Sequence, residues 1–176
     1  MTSIKKTVLA TLVILASSLQ PALAKQNDPA DVAAIHKVVE QFRTSIIHKD
    51  KSAFTSLFFS DKPEEVTWQW VVDDARLVRF QKAKPEARKA RRIPEVNYLS
   101  FINGETKPGA KPAEEKFSDV KVDTDGEVAS VNFDYSYLAD GKETNRGREM
   151  WQLVRTEAGW KIISIIFSVR DPVPSK

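Results

Sequence analysis

Residues 147–156 read Gly-Arg-Glu-Met-Trp-Gln-Leu-Val-Arg-Thr, and residues 157–169 read Glu-Ala-Gly-Trp-Lys-Ile-Ile-Ser-Ile-Ile-Phe-Ser-Val. Two runs rich in β-branched and aromatic residues flank a short turn that carries Gly159, which is the pattern of a hairpin. Side chains alternate across a strand. Glu149, Trp151 and Leu153 therefore share one face of the first run, and Arg148, Met150, Gln152 and Val154 share the other. In the second run Ile163, Ile165 and Phe167 form a purely apolar face, and Trp160 stands just past the turn, placed to close the end of a core.

Upstream of this hairpin the chain supplies what would wrap around it. Asp28-Pro29 starts a helix, with Asp28 as cap, Pro29 in the first turn and Asp31 favourable near its positive end. Val32, Ile35, Val39, Phe42 and Ile46 recur at helical spacing up to about Lys49, with His48 and Lys49 in the last turn. Asp50 opens a shorter helix with Ala53, Phe54, Leu57 and Phe58 as its apolar set. Residues 66–72 alternate as a strand, with Val66, Trp68, Trp70 and Val72 on one side. Asp73-Asp74 leads into a helix or strand through Phe80. Residues 93–113 hold three prolines and two glycines and read as a long loop with an ordered piece at Tyr98 to Ile102. Strands follow at 117–122 and 128–138, the second with Val131, Phe133, Tyr135 and Tyr137 on one face. Asp140-Gly141 is a hairpin turn into the closing pair.

The first 24 residues read as an export signal. Lys5 and Lys6 precede the apolar run Val8 to Ala16, and Ala22-Leu23-Ala24 offers small residues where a signal peptidase cuts. The run is short for a membrane span, so no stable membrane insertion is expected after cleavage. Residues 25–176 are then expected to form one domain in the periplasm or outside the cell. The whole chain carries 27 Lys and Arg against 24 Asp and Glu. Two of those lysines and none of the acids lie in the leader, which leaves a net charge of about +1 and no case for a nucleic-acid partner. Cysteine is absent, which excludes thiol catalysis, cysteine-ligated metal and lipid attachment to a cysteine. His36 and His48 are too few for a histidine metal site, and no cofactor is expected. Residues 76–92 concentrate eight basic residues against Glu86, which is either an anion or docking site or a solvated face.

Two N-terminal helices, a strand, a loop-rich middle and an antiparallel meander ending in Gly159-Trp160-Lys161-Ile162 resemble the nuclear-transport-factor-2-like (NTF2-like) superfamily. Within it the chain is similar to the SnoaL-like domains and their relatives, which include ketosteroid isomerases. The pieces that carry the resemblance are the first helix with Lys49-Asp50, the strand with Trp68 and Trp70, and Arg148-Glu149-Met150-Trp151 through Ile162. The resemblance implies an α+β fold, a curved antiparallel sheet forming a cystatin-like cone around the N-terminal helices, often dimeric through the outer sheet face. A bent sheet only partly filled by a helix leaves a pocket. Strand alternation then lines it with Trp68, Trp70, Phe133, Tyr135, Tyr137, Trp151 and Phe167, and Glu149 as the polar member.

Among the candidates, Glu149 would have a raised pKa in such surroundings and could serve as a general base; the alternative is an ion pair with Arg146, Arg148 or another arginine at the sheet end. Asp134 alternates outward. His48 is a candidate proton donor near the cone mouth or a structural residue, and Tyr98 either reaches the mouth or packs. Ketosteroid isomerase-like members use an aspartate base with a tyrosine and a protonated aspartic acid. The first helix here has no tyrosine, so the chain departs from that pattern. The expected function is binding of a small apolar ligand by Trp68, Trp70, Tyr98, Tyr135, Tyr137, Glu149 and Trp151. The alternatives are an isomerase, dehydratase or hydrolase with Glu149 as base, and an interaction module using residues 76–92. An outer face holding Met150, Val154, Ile162 and Ile166 favours a homodimer.

Overall fold

The computed structural model describes residues 26–173; the export signal expected at 1–24 lies outside the described residues. The first helix, α1 (Pro29–Ile47), begins where its sequence says it must. The Asp28 side chain accepts from the Ala30 N–H at 2.9 Å, and Pro29 takes the first turn, where it lacks only a hydrogen that would go unpaired. Asp31 accepts from Arg155 at 3.0 Å, which ties the start of α1 to the sheet. Ile35, Val39, Phe42 and Ile46 are buried, so the apolar stripe faces the sheet. The helix ends sooner than the cations suggest: His48 is its C-cap and Lys49 has a positive φ of 55°. Asp50 caps the short α2 (Lys51–Thr55) through the Ala53 N–H.

Next come β1 (Thr67–Val72), α3 (Asp74–Ala83) and α4 (Tyr98–Thr106). The chain closes with four long strands, β2 (Ala113–Thr124), β3 (Val128–Ala139), β4 (Lys142–Thr156) and β5 (Gly159–Val169). Asp73 caps α3, and Asn97 with Ser100 forms a reciprocal cap on α4, so both uncertain stretches of the sequence resolve as helices. The sheet order is β1-β5-β4-β3-β2. Asp140 and Gly141 both have positive φ, 56° and 71°, as a two-residue hairpin turn demands.

The α+β architecture with a sheet against N-terminal helices is the one the resemblance implied, with one difference. The sheet is mixed: β1 runs parallel to β5, with Trp68 opposite Ile165 and Trp70 opposite Phe167. A parallel pair needs a long crossover, and here α3, α4 and β2 to β4 all lie between the two strands in sequence.

A second difference comes from a bulge. Gln152 pairs with Ser164 but Leu153 pairs with Ile162, so β5 carries one extra residue. Ile165 and Phe167 stay on the inner side, opposite Trp151 and Glu149. Past the bulge the parity inverts: Ile162 is fully buried, and Ile163 leaves the apolar face to which strict alternation assigns it. Ile163 instead lines an outer groove with Val128, Gln152 and Val154. Ile162 is therefore core and not part of an exposed β face, whereas Met150, Ile166 and Val128 are exposed.

The core is aromatic. Trp151 lies 4.8 Å from Phe42 and 5.0 Å from Phe133, ring centre to ring centre, and Phe42 lies 4.8 Å from Phe54. Trp160 closes one end of this core and is buried.

Candidate functional site

The other end of the sheet is not filled. A cavity of about 480 Å³ opens there, inside the usual range for small-molecule sites. All five strands, α3 and α4 contribute to its wall. From β1 come Trp68, Trp70 and Val72, and from β5 Phe167 and Val169. β3 gives Tyr135 and Tyr137, β4 gives Asn145 and Glu149, and β2 gives Glu115. α3 presents Arg76 and Phe80, and α4 presents Phe101 and Glu105.

The backbone of β4 prepares this hollow at Gly147. A Cβ there would lie 1.9 Å from the Ser168 carbonyl oxygen, so only glycine lets β5 fold this closely over β4. The Tyr135 hydroxyl, from the strand on the other side of Gly147, lies 2.9 Å from the same Ser168 carbonyl and 3.0 Å from the Asn145 side-chain amide. Tyr135 is thus held at both its ring and its hydroxyl, with the ring 6.3 Å from that of Phe167.

Glu149 is buried, and its carboxylate accepts the Trp151 indole N–H. Burial pushes its pKa up to about 7, although the indole hydrogen bond favours the charged form and works against that rise. Neither arginine offered as an ion-pair partner reaches it. Arg148 donates to Asn132 at 2.6 Å and to Asp134 at 3.3 Å on the outer face, and the backbone of Arg146 bridges to Arg170.

Glu115 is the functional candidate that sequence reading missed. Its side chain is buried, it lines the same cavity, and its Oε2 has no hydrogen-bond partner. Its pKa is raised well above the usual carboxyl range, first by burial, then by the nearby charges of Glu149 and Glu105. Two buried carboxyls that repel one another hold a proton between them at pH values where isolated ones would have lost it. Tyr137, opposite Glu115 across the β2–β3 ladder, is raised above its ordinary pKa by burial and by Glu105 beside it, and so stays a neutral donor.

Arg76 stands at the α3 side. Its guanidinium is 3.3 Å from Asp171 and lies over the Phe80 ring at 5.7 Å, while Nε and Nη1 are buried without a hydrogen-bond partner. The rest of the basic stretch divides: Arg79 pairs with Asp171 and Lys89 with Asp74, both on the exposed surface.

Glu149, Trp68, Trp70, Tyr135 and Tyr137 thus meet around one cavity. Three other sequence candidates do not line it. Trp151 is buried beneath Glu149 and only reaches the site through its indole N–H. Tyr98 is fully buried, stacks on Phe58 at 4.0 Å and donates to the Ser60 carbonyl. His48 is exposed at the end of α1. Among the described residues there is no cluster of metal-ligating side chains, and no helix is long and apolar enough to cross a membrane.

Solved structures share this architecture. An NTF2-like protein with a cystatin-like fold from Novosphingobium aromaticivorans superposes with a TM-score of 0.55 at 13% identity, covering 82% of this chain and 85% of its own. The fold is NTF2-like. A protein from Streptomyces avermitilis, provisionally named a dehydratase of the NTF2-like family, matches with a TM-score of 0.53 at 16% identity over 81% of this chain and 97% of its own. Another from Novosphingobium aromaticivorans, provisionally named an aromatic ring hydroxylase, matches with a TM-score of 0.54 at 16% identity over 82% of this chain and 92% of its own. No family model matches the chain, and no curated protein matches it. At these identities the likeness is one of NTF2-like fold, and the chemistry must be argued from the cavity itself.

Proposed function

We propose that the protein binds a small, largely apolar ligand in the cone cavity. The observation that carries this reading is the wall: Trp68, Trp70, Phe101, Tyr135, Tyr137 and Phe167 surround a space that no side chain among the described residues fills. Unfilled, ring-lined space is costly to a monomer, because its lining forgoes contact atoms on one side, and a ligand restores them. The leader at residues 1–24 supports placing this activity outside the cytoplasm, and exposed Met150, Ile166 and Val128 on the outer side of the sheet support a homodimer. The test is extraction of protein purified from its own host and mass spectrometry of the extract, beside tryptophan fluorescence of Trp68 and Trp70. A co-purifying small molecule that quenches or shifts the emission supports the reading; an empty, unresponsive cavity across a hydrophobic ligand panel removes it.

A second reading has its own support in the Glu115–Glu149 pair. A carboxyl held near neutrality beside a second whose pKa is also raised by burial is suited to taking a proton from a bound substrate and returning it, as an isomerase or dehydratase requires. Glu149→Gln separates the two: binding kept with turnover lost supports an enzyme, and turnover unaffected by the change rejects Glu149 as its base.

A further inference from the structure

Charge around the cavity is unevenly answered. Glu105 from α4, Glu115 from β2 and Glu149 from β4 all line it, with the neutral Tyr135 and Tyr137 from β3. β1 and β5 bring only rings and apolar side chains, and α3 brings one cation, Arg76. Arg76 already has a counter-charge in Asp171 at 3.3 Å, although its Nε and Nη1 are buried without a hydrogen-bond acceptor. Among the described residues, none of the three glutamates has an ion-pair partner. Glu115 is only 6% exposed, yet its Oε2 is without a donor, and a buried acceptor left in that state destabilises the protein until something donates to it.

We propose that the ligand, on the binding reading given above, is a protonated amine on an apolar body, its N–H groups donating to Glu115 and Glu149 and its apolar part lying against Trp68, Trp70 and Phe167. An ammonium answers both deficits at once, supplying the missing donor and the missing positive charge. The electron-rich faces of the surrounding rings favour the same sign. An alcohol would satisfy Oε2 but leave the charge, and a carboxylate would add to it. Burial and mutual repulsion keep a proton on the pair near neutrality, so an ammonium that settles there displaces it: the O–H bond breaks, the proton leaves to buffer, and an N–H donor takes its place.

The full chain is titrated calorimetrically with naphthylmethylamine, naphthylmethanol and naphthoate, in buffers of different ionisation heat. The amine should bind about tenfold or more tightly than the alcohol, with naphthoate weakest. Its heat should vary with the buffer, reporting proton release, and its affinity should rise between about pH 6 and pH 8 as the pair loses its proton more readily. Glu115→Gln should remove about tenfold of amine affinity and reduce the proton release, and should narrow the preference for the amine over the alcohol by a similar factor. Glu149→Gln gives the same comparison should the first variant fail to fold by near-ultraviolet circular dichroism. Equal binding of amine and alcohol, or preference for naphthoate, overturns the amine assignment while the apolar cavity stands. Failure of all three to bind folded protein overturns the assignment and the binding reading together.

Discussion

The two ends of β4 show how one strand can serve two purposes. Its inward residues run Leu153, Trp151, Glu149, Gly147, Asn145. At the Leu153 end α1 lies over the sheet, and Phe42 fills the space above Trp151 at 4.8 Å. At the Asn145 end no residue of α1 lines the inner face, the Ser168 carbonyl takes the space a side chain at Gly147 would need, and the cavity opens between the sheet and α3 and α4. Along β3 the strand pairing runs from Val154 to Asn145, so that ladder does not distinguish the halves; along β5 it ends at Glu149 and returns only at the Arg146–Arg170 bridge. What differs is whether a helix brings side chains to meet the inner face. Glu149 sits at the boundary, hydrogen-bonded to the core behind it and facing the hollow in front.

The largest way to break this comparison is to cut into the packed end. Trp151→Ala removes a ring that contacts Phe42 and Phe133 and also strips Glu149 of its hydrogen-bond donor. The expected loss is about 3–5 kcal/mol in chemical denaturation, with a matching fall in Tm. A loss under about 1 kcal/mol would mean that this end is not packed as described.

The boundary itself can be sharpened by pH. Glu149 has its pKa raised from 4.5 to about 7 in the folded protein. A carboxyl raised on folding stabilises the native state below its unfolded pKa, and that contribution is lost as pH rises through the folded value. Stability should therefore fall between about pH 4.5 and pH 7, by up to roughly 3 kcal/mol if Glu149 acted alone. Glu149→Gln should flatten this slope, measured as unfolding free energy against pH; an unchanged slope would place the titration elsewhere, with Glu115 the first candidate.

How much of this could be read from the chain follows the same division. Packed features announce themselves: the α1 stripe, the Tyr135 and Tyr137 face and the closing hairpin are all visible as periodicity. Glu115 was hidden for a physical reason. It sits in Glu114-Glu115-Lys116, a charge run that reads as surface, and the strand signal starts only at Phe117. Carrying the alternation back from Phe117 through Glu115 to buried Ala113 would have found it, since all three share a face. Ile163 was misplaced because a bulge leaves no mark in composition. The parallel pairing of β1 was equally invisible, because two strands separated by residues 73–158 share no local signal. Tyr98 reads equally as a mouth or a packing residue because it sits in a proline- and glycine-rich segment; in the fold its helix turns it down onto Phe58, the packing alternative.

The smallest expected stability effect comes from the open end, and it tests the comparison from the other side. Trp70 is only partly buried, opposite Phe167, and lines the cavity wall. Truncating a core ring costs both transfer and a new void, but here the void already exists, so most of the second contribution is missing. Trp70→Ala should cost about 1 kcal/mol of stability, several times less than Trp151→Ala, while weakening an apolar ligand by about tenfold. A Trp70→Ala protein as unstable as the Trp151→Ala one would mean that the cavity wall carries the fold as the core does. That would leave no energetic distinction between the two halves of β4 and no reason for the hollow to await an occupant.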